Sequence, residues 1–133
     1  MRVAACFGAG LDIVEPCAFP LTDKGIRKAA MDYGAALDPV RHAGWSTYQR
    51  SAEAAAGRLV LFTTRGAKDL WEFSFQPGDR LLFGRESAGV PENVHDAAEC
   101  RVRIPIRAGM RSLNVTVSAG IALAEASRQL GLL

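Results

Sequence analysis

Apolar residues in this chain fall into short continuous runs separated by segments with helical spacing. The near-continuous apolar runs at residues 58–63 and 80–84 predict strands that are buried on both faces. Residues 100–104 predict another strand, and the alternation at residues 11–14 predicts a short one. Because strands and helical segments follow one another in turn, the sequence predicts an α/β fold, with a parallel sheet covered by helices on both faces.

Capping and stop residues mark the predicted helices. Thr22 is an expected N-cap for residues 23–33, and Ser46 has the capping-box spacing for a helix that ends near residue 56. Pro91 opens a short helix. The longest helix, residues 113–130, ends at Gly131 and is rich in small residues, so another backbone can approach it closely. Residues 69–75 fit either a helical turn or a short strand.

The N-terminus begins abruptly. Residues 2–7 read as the last turns of a helix that Gly8 and Gly10 close, with no cap before it. A natural chain seldom opens inside a helix. We therefore expect residues 1–133 to form a single domain that lacks its N-terminal strand.

Composition narrows the class of protein. With 133 residues, 49% of them hydrophobic, the chain is long enough to bury a core, and its net charge of +2 permits an RNA partner without requiring one. The three cysteines are an odd number without CxxC spacing, which indicates neither a disulfide framework nor a zinc site. Cys6 and Cys100 are predicted to be buried thiols. No run is long enough for a membrane span or a secretory signal, so we predict a cytoplasmic location.

Common catalytic motifs are missing from the sequence. It has neither GxGxxG after a strand nor GxxxxGK[ST], so the dinucleotide and P-loop fingerprints are not met. His42 and His95 are the only histidines, and neither lies near a Ser or Cys in a nucleophile motif, which argues against a His-based triad. Both are predicted to lie on the surface. Ligands of parallel α/β sheets bind outside the carboxyl ends of the strands, here residues 62–64, 84–86 and 104–106.

Two late segments carry a family resemblance. FGRESAGVP at residues 83–91 and RIPIRAGMRSLNVTVSAGIALAE at residues 103–125 closely resemble motifs two and three of the SpoU branch of the SPOUT RNA 2′-O-methyltransferases. Residues 13–16, 23–33 and 62–66 are similar to the small subfamily that methylates the wobble cytidine or uridine of tRNA. The resemblance covers essentially the whole chain.

The resemblance implies a deep C-terminal trefoil knot that holds S-adenosyl-L-methionine, largely through backbone groups, and requires no metal. It also implies a homodimer through the C-terminal helix and tRNA as the partner. The residues that it assigns to the cofactor are Phe62, Thr63, Gly84, Glu86, Ile104, Ile106, Ser112 and Leu113.

The same resemblance assigns catalytic roles to Arg2, Ser112, Asn114 and Glu86. Arg2 matches a proposed ribose base, but a guanidinium is charged at any ordinary pH, so binding a phosphate or stabilising developing charge is the alternative. Glu86 and Asn114 are expected to shape the loops and the ribose site, and a plain helix cap is the alternative for Asn114. Arg107 and Arg111 either contact phosphates or are solvated surface residues.

The sequence departs from the family at its start, where the first strand and an Asn-containing loop are absent and Arg2 falls where the motif-one helix reaches its Arg. The sequence-based prediction is a tRNA 2′-O-methyltransferase for the wobble nucleotide. Two alternatives remain open: a methyltransferase for another tRNA or rRNA site, and a non-catalytic SPOUT-like RNA-binding module. An unrelated flavodoxin-like or other α/β binding fold is the least favoured interpretation. Neither the tRNA isoacceptor nor the preference for cytidine or uridine follows from the sequence.

Overall fold

The computed structural model of the protein describes residues 2–16, 39–51, 57–65, 68–84 and 89–133, together with Lys24 and Lys28. All strand pairs in these residues are parallel, as predicted, and they form a two-stranded sheet and a four-stranded sheet. In chain order the elements are α1 (Arg2–Cys6), β1 (Asp12–Val14), β2 (Val40–His42), α2 (Trp45–Gln49), β3 (Leu59–Phe62), β4 (Lys68–Asp69), a 3-10 turn (Leu70–Glu72), β5 (Arg80–Phe83), α3 (Glu92–Ala97), β6 (Cys100–Arg103) and α4 (Val115–Leu130).

The larger sheet has the strand order β4-β6-β3-β5. All four residues of β3 are buried, which agrees with the continuous apolar run that predicted it. The residues of β5 are only half-buried, because β5 is the last strand at one side of the described sheet. Phe62 of β3 is in register with Phe83 and with Val102, so the carboxyl ends of β3, β5 and β6 lie at the same edge.

Helix α4 is capped at both ends. Asn114 is its N-cap, and Gly131 ends it in the left-handed conformation at φ 65°, which glycine adopts without steric cost. Ala122 is fully buried in the main core cluster with Val60 and Val102. A Cβ on Gly120 would lie 3.9 Å from Val3 Cγ1, which shows how closely α1 approaches this helix. Ala122 and Gly120 of α4 therefore serve packing within the chain.

The segment that the sequence left ambiguous contains both kinds of structure. Lys68 and Asp69 form β4, a 3-10 turn follows, and the chain is then extended, with Phe73 and Phe75 buried edge to face at 4.9 Å. The side chain of Gln129 fastens this segment to α4: its Nε2 donates to the Phe73 carbonyl at 2.9 Å, and its Oε1 accepts from the Phe75 N–H at 2.8 Å.

The structure differs from one helix prediction, and another falls mostly outside the described residues. Helix α2 starts at Trp45 with Gly44 as a bare N-cap, so the prediction of Ser46 as the cap is wrong; the helix ends at Gln49, before residues 52–56, which lie outside the described part. The predicted helix at 23–33 also lies outside the described residues, except for Lys24 and Lys28, which are helical.

The surface and burial predictions for one histidine and one cysteine are wrong. His42 is only 5% exposed, because its ring lies edge-on to Tyr48 of α2 at 5.1 Å, and its Nε2 is 2.7 Å from Asp12 Oδ1. Cys6 is exposed, and Cys100 is half-buried. Among the helices in the described ranges, none combines the length and the hydropathy of a membrane span.

Candidate functional site

A cavity of about 520 Å³ opens where the loops after β3, β5 and β6 meet the start of α4. Its size falls within the range of small-molecule sites. Seven of the predicted cofactor residues line it, and Glu86, the eighth, lies outside the described residues. The lining consists of Leu61, Phe62, Thr63, Thr64, Arg65, Phe83, Gly84, Gly89, Val90, Ile104, Ile106, Arg111, Ser112, Leu113, Val115 and Ser118.

The first wall is the end of β3. Phe62 stacks on Phe83 of β5 at 5.0 Å between ring centroids, with the ring planes 18° apart. The N–H of Thr63 donates to the Val102 carbonyl at 2.9 Å, and its Oγ1 accepts from the N–H of Arg65 at 3.1 Å. This wall therefore joins a flat apolar surface to a loop whose backbone is held by hydrogen bonds.

The second wall depends on Gly84 at the end of β5. A Cβ at this position would lie 2.5 Å from the carbonyl carbon of Gly89 and 2.7 Å from the backbone nitrogen of Val90. Such distances are below van der Waals contact, so only glycine lets the returning loop pass so close. Gly89 itself has φ 67°, a conformation that also favours glycine. The structure therefore explains why glycine occupies positions 84 and 89 of the FGRESAGVP motif.

The third wall runs from β6 to α4. Ile104 and Ile106 contribute apolar surface, and a turn then brings the N–H of Met110 to the Arg107 carbonyl at 3.2 Å, with Gly109 at φ 88°. Ser112 is exposed and lines the cavity, directly before the first turn of α4. Its hydroxyl is therefore available to a ligand at the mouth.

Two predicted catalytic residues do not line the cavity. The side chain of Asn114 caps α4 by accepting from the N–H of Thr116, so the structure shows the capping role that was the alternative for this residue. Arg2 lies on α1, which packs against α4 near Gly120. The structure thus brings Ser112 to the cavity and leaves Asn114 and Arg2 outside its lining. The catalytic roles of Arg2, Asn114 and Glu86 stay predictions.

The charged side chains that line the cavity are positively charged. Arg65 and Arg111 both line it. Nη2 of Arg65 lies 3.0 Å from Oε2 of Glu92, the first residue of α3, and this hydrogen bond lowers the pKa of the Glu92 carboxyl. Within the described ranges Arg111 has no carboxylate partner. The cavity therefore suits a ligand or a neighbouring group with negative charge.

Sequence reasoning missed part of the lining. Val115 and Ser118 were not assigned, although their i, i+3 spacing on the first turn of α4 places them on one face of the helix. Phe83 and Val90 were also missed, and their positions at the end of β5 and just before α3 were the available signal. Arg65 was included only in the segment at residues 62–66 that resembles the wobble subfamily, and no role was assigned to it.

The lining fits S-adenosyl-L-methionine chemically. The stacked rings of Phe62 and Phe83 and the side chains of Ile104 and Ile106 provide apolar surface for an adenine base. The hydroxyl of Ser112 provides a hydrogen-bonding group for a ribose or an amino-acid moiety.

Comparison with known protein sequences supports the resemblance to the SpoU methyltransferases. Residues 1–124 match the sequence model of the SpoU rRNA Methylase family. A protein named tRNA (cytidine(34)-2′-O)-methyltransferase from Beijerinckia indica subsp. indica is 46% identical over 136 residues, which cover 100% of this chain and 83% of the relative. One of the same name from Ancylobacter novellus is 48% identical over 130 residues, which cover 98% of this chain and 82% of the relative.

Solved structures with the same fold include one from work on the 2′-OH methylation of C/U34 on tRNA. It superposes with a TM-score of 0.85 at 36% identity, covering 99% of this chain and 86% of the other. The SpoU methyltransferase AviRb from Streptomyces viridochromogenes, in complex with the cofactor AdoMet, superposes with a TM-score of 0.79 at 30% identity, covering 99% of this chain and 54% of the other. With the family model matching nearly the full length and the motif residues converging on one cavity, the chain belongs to the SpoU methylase family.

Proposed function

We propose that this protein is an S-adenosyl-L-methionine-dependent methyltransferase that methylates the ribose 2′-OH of nucleotide 34, the wobble cytidine or uridine, in tRNA. The observation that carries this proposal is the cavity built from the two SpoU motifs and the end of β3. The names and high coverage of the curated relatives support the wobble nucleotide as the target. The AdoMet complex of AviRb supports the cofactor.

The cofactor is held by the residues that the motifs assigned. Phe62 and Thr63, Gly84, and Ile104 and Ile106 contribute one wall each, and Ser112 with Leu113 closes the cavity beside α4. When bound, S-adenosyl-L-methionine would supply an electrophilic methyl group on a sulfonium centre and, as the S–CH3 bond breaks, would leave as S-adenosyl-L-homocysteine. Transfer to a hydroxyl needs alignment and removal of a proton, and it needs no metal.

The chain's own residues position the ribose and manage its proton. The hydroxyl of Ser112 lies at the cavity mouth, where it accepts the hydrogen bond of the 2′-OH and orients its oxygen for attack. The exposed side chains of Arg107 and Arg111 bind the phosphates on either side of the target, which positions the RNA without reading its sequence. Arg2, which lies on a helix packed against α4 and outside the cavity lining, acts as the base, binds a phosphate or stabilises developing charge.

The proposal extends to the architecture that the family implies. The segment from β6 into α4 is threaded as a C-terminal trefoil knot, and two copies of the single domain associate through α4. Val117, half exposed on the first turns of α4, is available for that contact. A tRNA-modifying enzyme of this kind works in the cytoplasm.

The test is methyl transfer followed by nucleoside analysis. The purified protein is incubated with S-adenosyl-L-methionine carrying a labelled methyl group and with unmodified tRNA transcripts. The expected product is 2′-O-methylcytidine or 2′-O-methyluridine at position 34, and the matched control is the same tRNA with a 2′-deoxy nucleotide at that position, which accepts no methyl group. Methylation at another position would favour the alternative RNA target, and binding of cofactor and tRNA without transfer would favour a non-catalytic module.

A further inference from the structure

An ion pair connects two walls of the cavity at its outer edge. Arg65 follows β3 and lines the cavity, and Glu92 begins α3 two residues after Val90, which also lines it. Nη2 of Arg65 lies 3.0 Å from Oε2 of Glu92. The side chains are 58% and 70% exposed, so the pair lies at the surface of the mouth and not inside the cavity.

The pair is easily exchanged for another partner. Exposed ion pairs contribute little to stability, since water and salt compete for both groups. The backbone of Arg65 is nevertheless held in place, because its N–H donates to Thr63 Oγ1 at 3.1 Å. The backbone of Arg65 is thus held in place, while its guanidinium can exchange one hydrogen-bond partner for another.

The neighbouring cations differ from Arg65 in one respect. Arg107 and Arg111 are exposed on the third wall and, in the ranges that the structure covers, have no carboxylate partner. Arg65 alone of these three has its guanidinium occupied by a carboxylate. A carboxylate and a phosphate present similar oxygens to a guanidinium, and either can form charge-assisted hydrogen bonds with it.

We propose that Arg65 is a phosphate-binding residue for the RNA substrate, and that Glu92 occupies its guanidinium until an RNA phosphate displaces it. The choice of RNA as the ligand rests on the proposed function. Glu92 then acts as an internal competitor: it keeps Arg65 extended across the mouth in the free protein, and it lowers the affinity for anions that do not bind the rest of the site.

A second group that can bind the Arg65 guanidinium is the carboxylate of S-adenosyl-L-methionine. The exposure of both side chains favours the RNA, because the pair lies where the substrate approaches and not where the apolar walls enclose a small molecule. Binding measurements with the cofactor alone separate the two sources.

Four variants test the proposal: Arg65→Gln, Glu92→Gln, the double variant, and Asp96→Asn. Asp96 is the control for the loss of a negative charge near Glu92, because it is an exposed carboxylate on the same helix whose ion pair is with His95, whereas Arg65 pairs with Glu92. Affinity for wobble-unmodified tRNA is measured by fluorescence anisotropy over a series of salt concentrations, and affinity for S-adenosyl-L-methionine by calorimetry. Circular dichroism melting verifies that each variant is folded.

Glu92→Gln is expected to tighten tRNA binding by about two- to five-fold, the range of an exposed ion pair, and to do so only when Arg65 is present. Arg65→Gln should weaken binding to all tRNAs alike and reduce the slope of log affinity against log salt by about 0.7 to 0.9, the loss of one phosphate contact. Asp96→Asn should change tRNA affinity less than Glu92→Gln does. The affinity for the cofactor should change less than two-fold in every variant.

The proposed exchange would be contradicted if Glu92→Gln and Asp96→Asn raised the affinity for tRNA equally. It would also be contradicted if Glu92→Gln raised this affinity as much in the Arg65→Gln protein as in the unchanged protein. A loss of cofactor affinity in Arg65→Gln as large as the loss for tRNA would instead assign Arg65 to the cofactor carboxylate. Because the readout is binding, a wild-type protein that binds tRNA but transfers no methyl group would contradict the proposed function and leave the exchange standing.

Discussion

The side-chain oxygen of Asn114 accepts a hydrogen bond from the Thr116 N–H at 2.8 Å and a longer one from the Val117 N–H at 3.4 Å. These are two of the N–H groups that have no partner within α4, so Asn114 stabilises the start of the helix that closes the cavity. Asn114→Ala is expected to lower the free energy of unfolding by about 1 kcal/mol, the usual cost of losing an N-cap. Thermal and urea melts measure this change.

Asn114→Asp separates the cap from a chemical role, because a carboxylate oxygen caps a helix as well as an amide oxygen does. This variant should retain the stability of the unchanged protein. If it also retains methyl transfer, Asn114 contributes to the site only by shaping α4. A stable Asn114→Asp protein that fails to transfer methyl would assign the amide a direct role at the ribose.

Gly84→Ala should damage the cavity from its second wall. The added methyl group would lie 2.5 Å from a backbone carbon of Gly89, and a backbone atom cannot move aside as a flexible side chain can. We expect a loss of about 1 to 3 kcal/mol of stability, the usual cost of overpacking, together with weaker S-adenosyl-L-methionine binding by calorimetry. Gly10→Ala is the control, because a Cβ there meets nothing within 4 Å. Equal behaviour of the two variants would contradict the close approach.

Apolar runs and glycine positions were enough to predict much of the fold. The strands at β3, β5 and β6 and the C-terminal end of α4 follow from local pattern, since buried strands need apolar residues on both faces and Gly131 suits a left-handed C-cap. The helix begins at Val115, two residues after its predicted start, because Asn114 is its N-cap. The three strand ends then predict the edge at which the cavity forms. The motif resemblance added Ser112 and Leu113, which periodicity alone does not distinguish from other loop residues.

The burial of His42 and the Arg65–Glu92 pair, neither of which the sequence predicted, depend on contacts between distant segments. The burial of His42 arises because Asp12 of β1 and Tyr48 of α2 enclose it, and neither is recognisable from the residues beside it in the sequence. The Arg65–Glu92 pair joins residues 27 positions apart and has no local signature. The cap at Ser46 failed because Gly44 begins the helix without a side-chain hydrogen bond, so a good capping sequence was present but not used.

The lowered pKa of Asp79 predicts how the free energy of unfolding depends on pH. Burial alone would raise the pKa of its carboxyl, but hydrogen bonds from the Arg58 guanidinium and the Gln76 N–H outweigh that effect and lower the pKa below its ordinary 3.8. The Arg58 guanidinium binds both oxygens, with Nε at 2.9 Å and Nη2 at 2.7 Å. Because the folded pKa is lower than the unfolded one, this contribution is complete above the unfolded pKa and is lost as the pH falls through the folded pKa.

Asp79→Asn should therefore cost about 2 kcal/mol near pH 7, the order of a hydrogen bond to a charged group. The difference from the unchanged protein should start to shrink below about pH 4, where the carboxyl of the unfolded chain begins to bind a proton, and should be lost as the pH falls through the lower pKa of the folded protein. Urea melts at a series of pH values measure both quantities. Asp96→Asn, which removes an exposed carboxylate, should show no such cost, and a constant difference at every pH would contradict the role of the Arg58–Asp79 pair.

Ser112 should affect transfer far more than folding. It is exposed at the cavity mouth, just before the cap of α4, so removing its hydroxyl leaves no buried polar group without a partner. Ser112→Ala is expected to lower kcat for tRNA methylation by about 100-fold or more, the usual contribution of a group that handles the proton, while the melting temperature stays within about 2 °C. Ser74→Ala, an exposed serine outside the cavity lining, is the matched control and should retain full activity. A Ser112→Ala protein with full kcat would remove the hydroxyl from the catalytic residues, and one with normal kcat but a raised KM for tRNA would assign Ser112 to ribose binding alone.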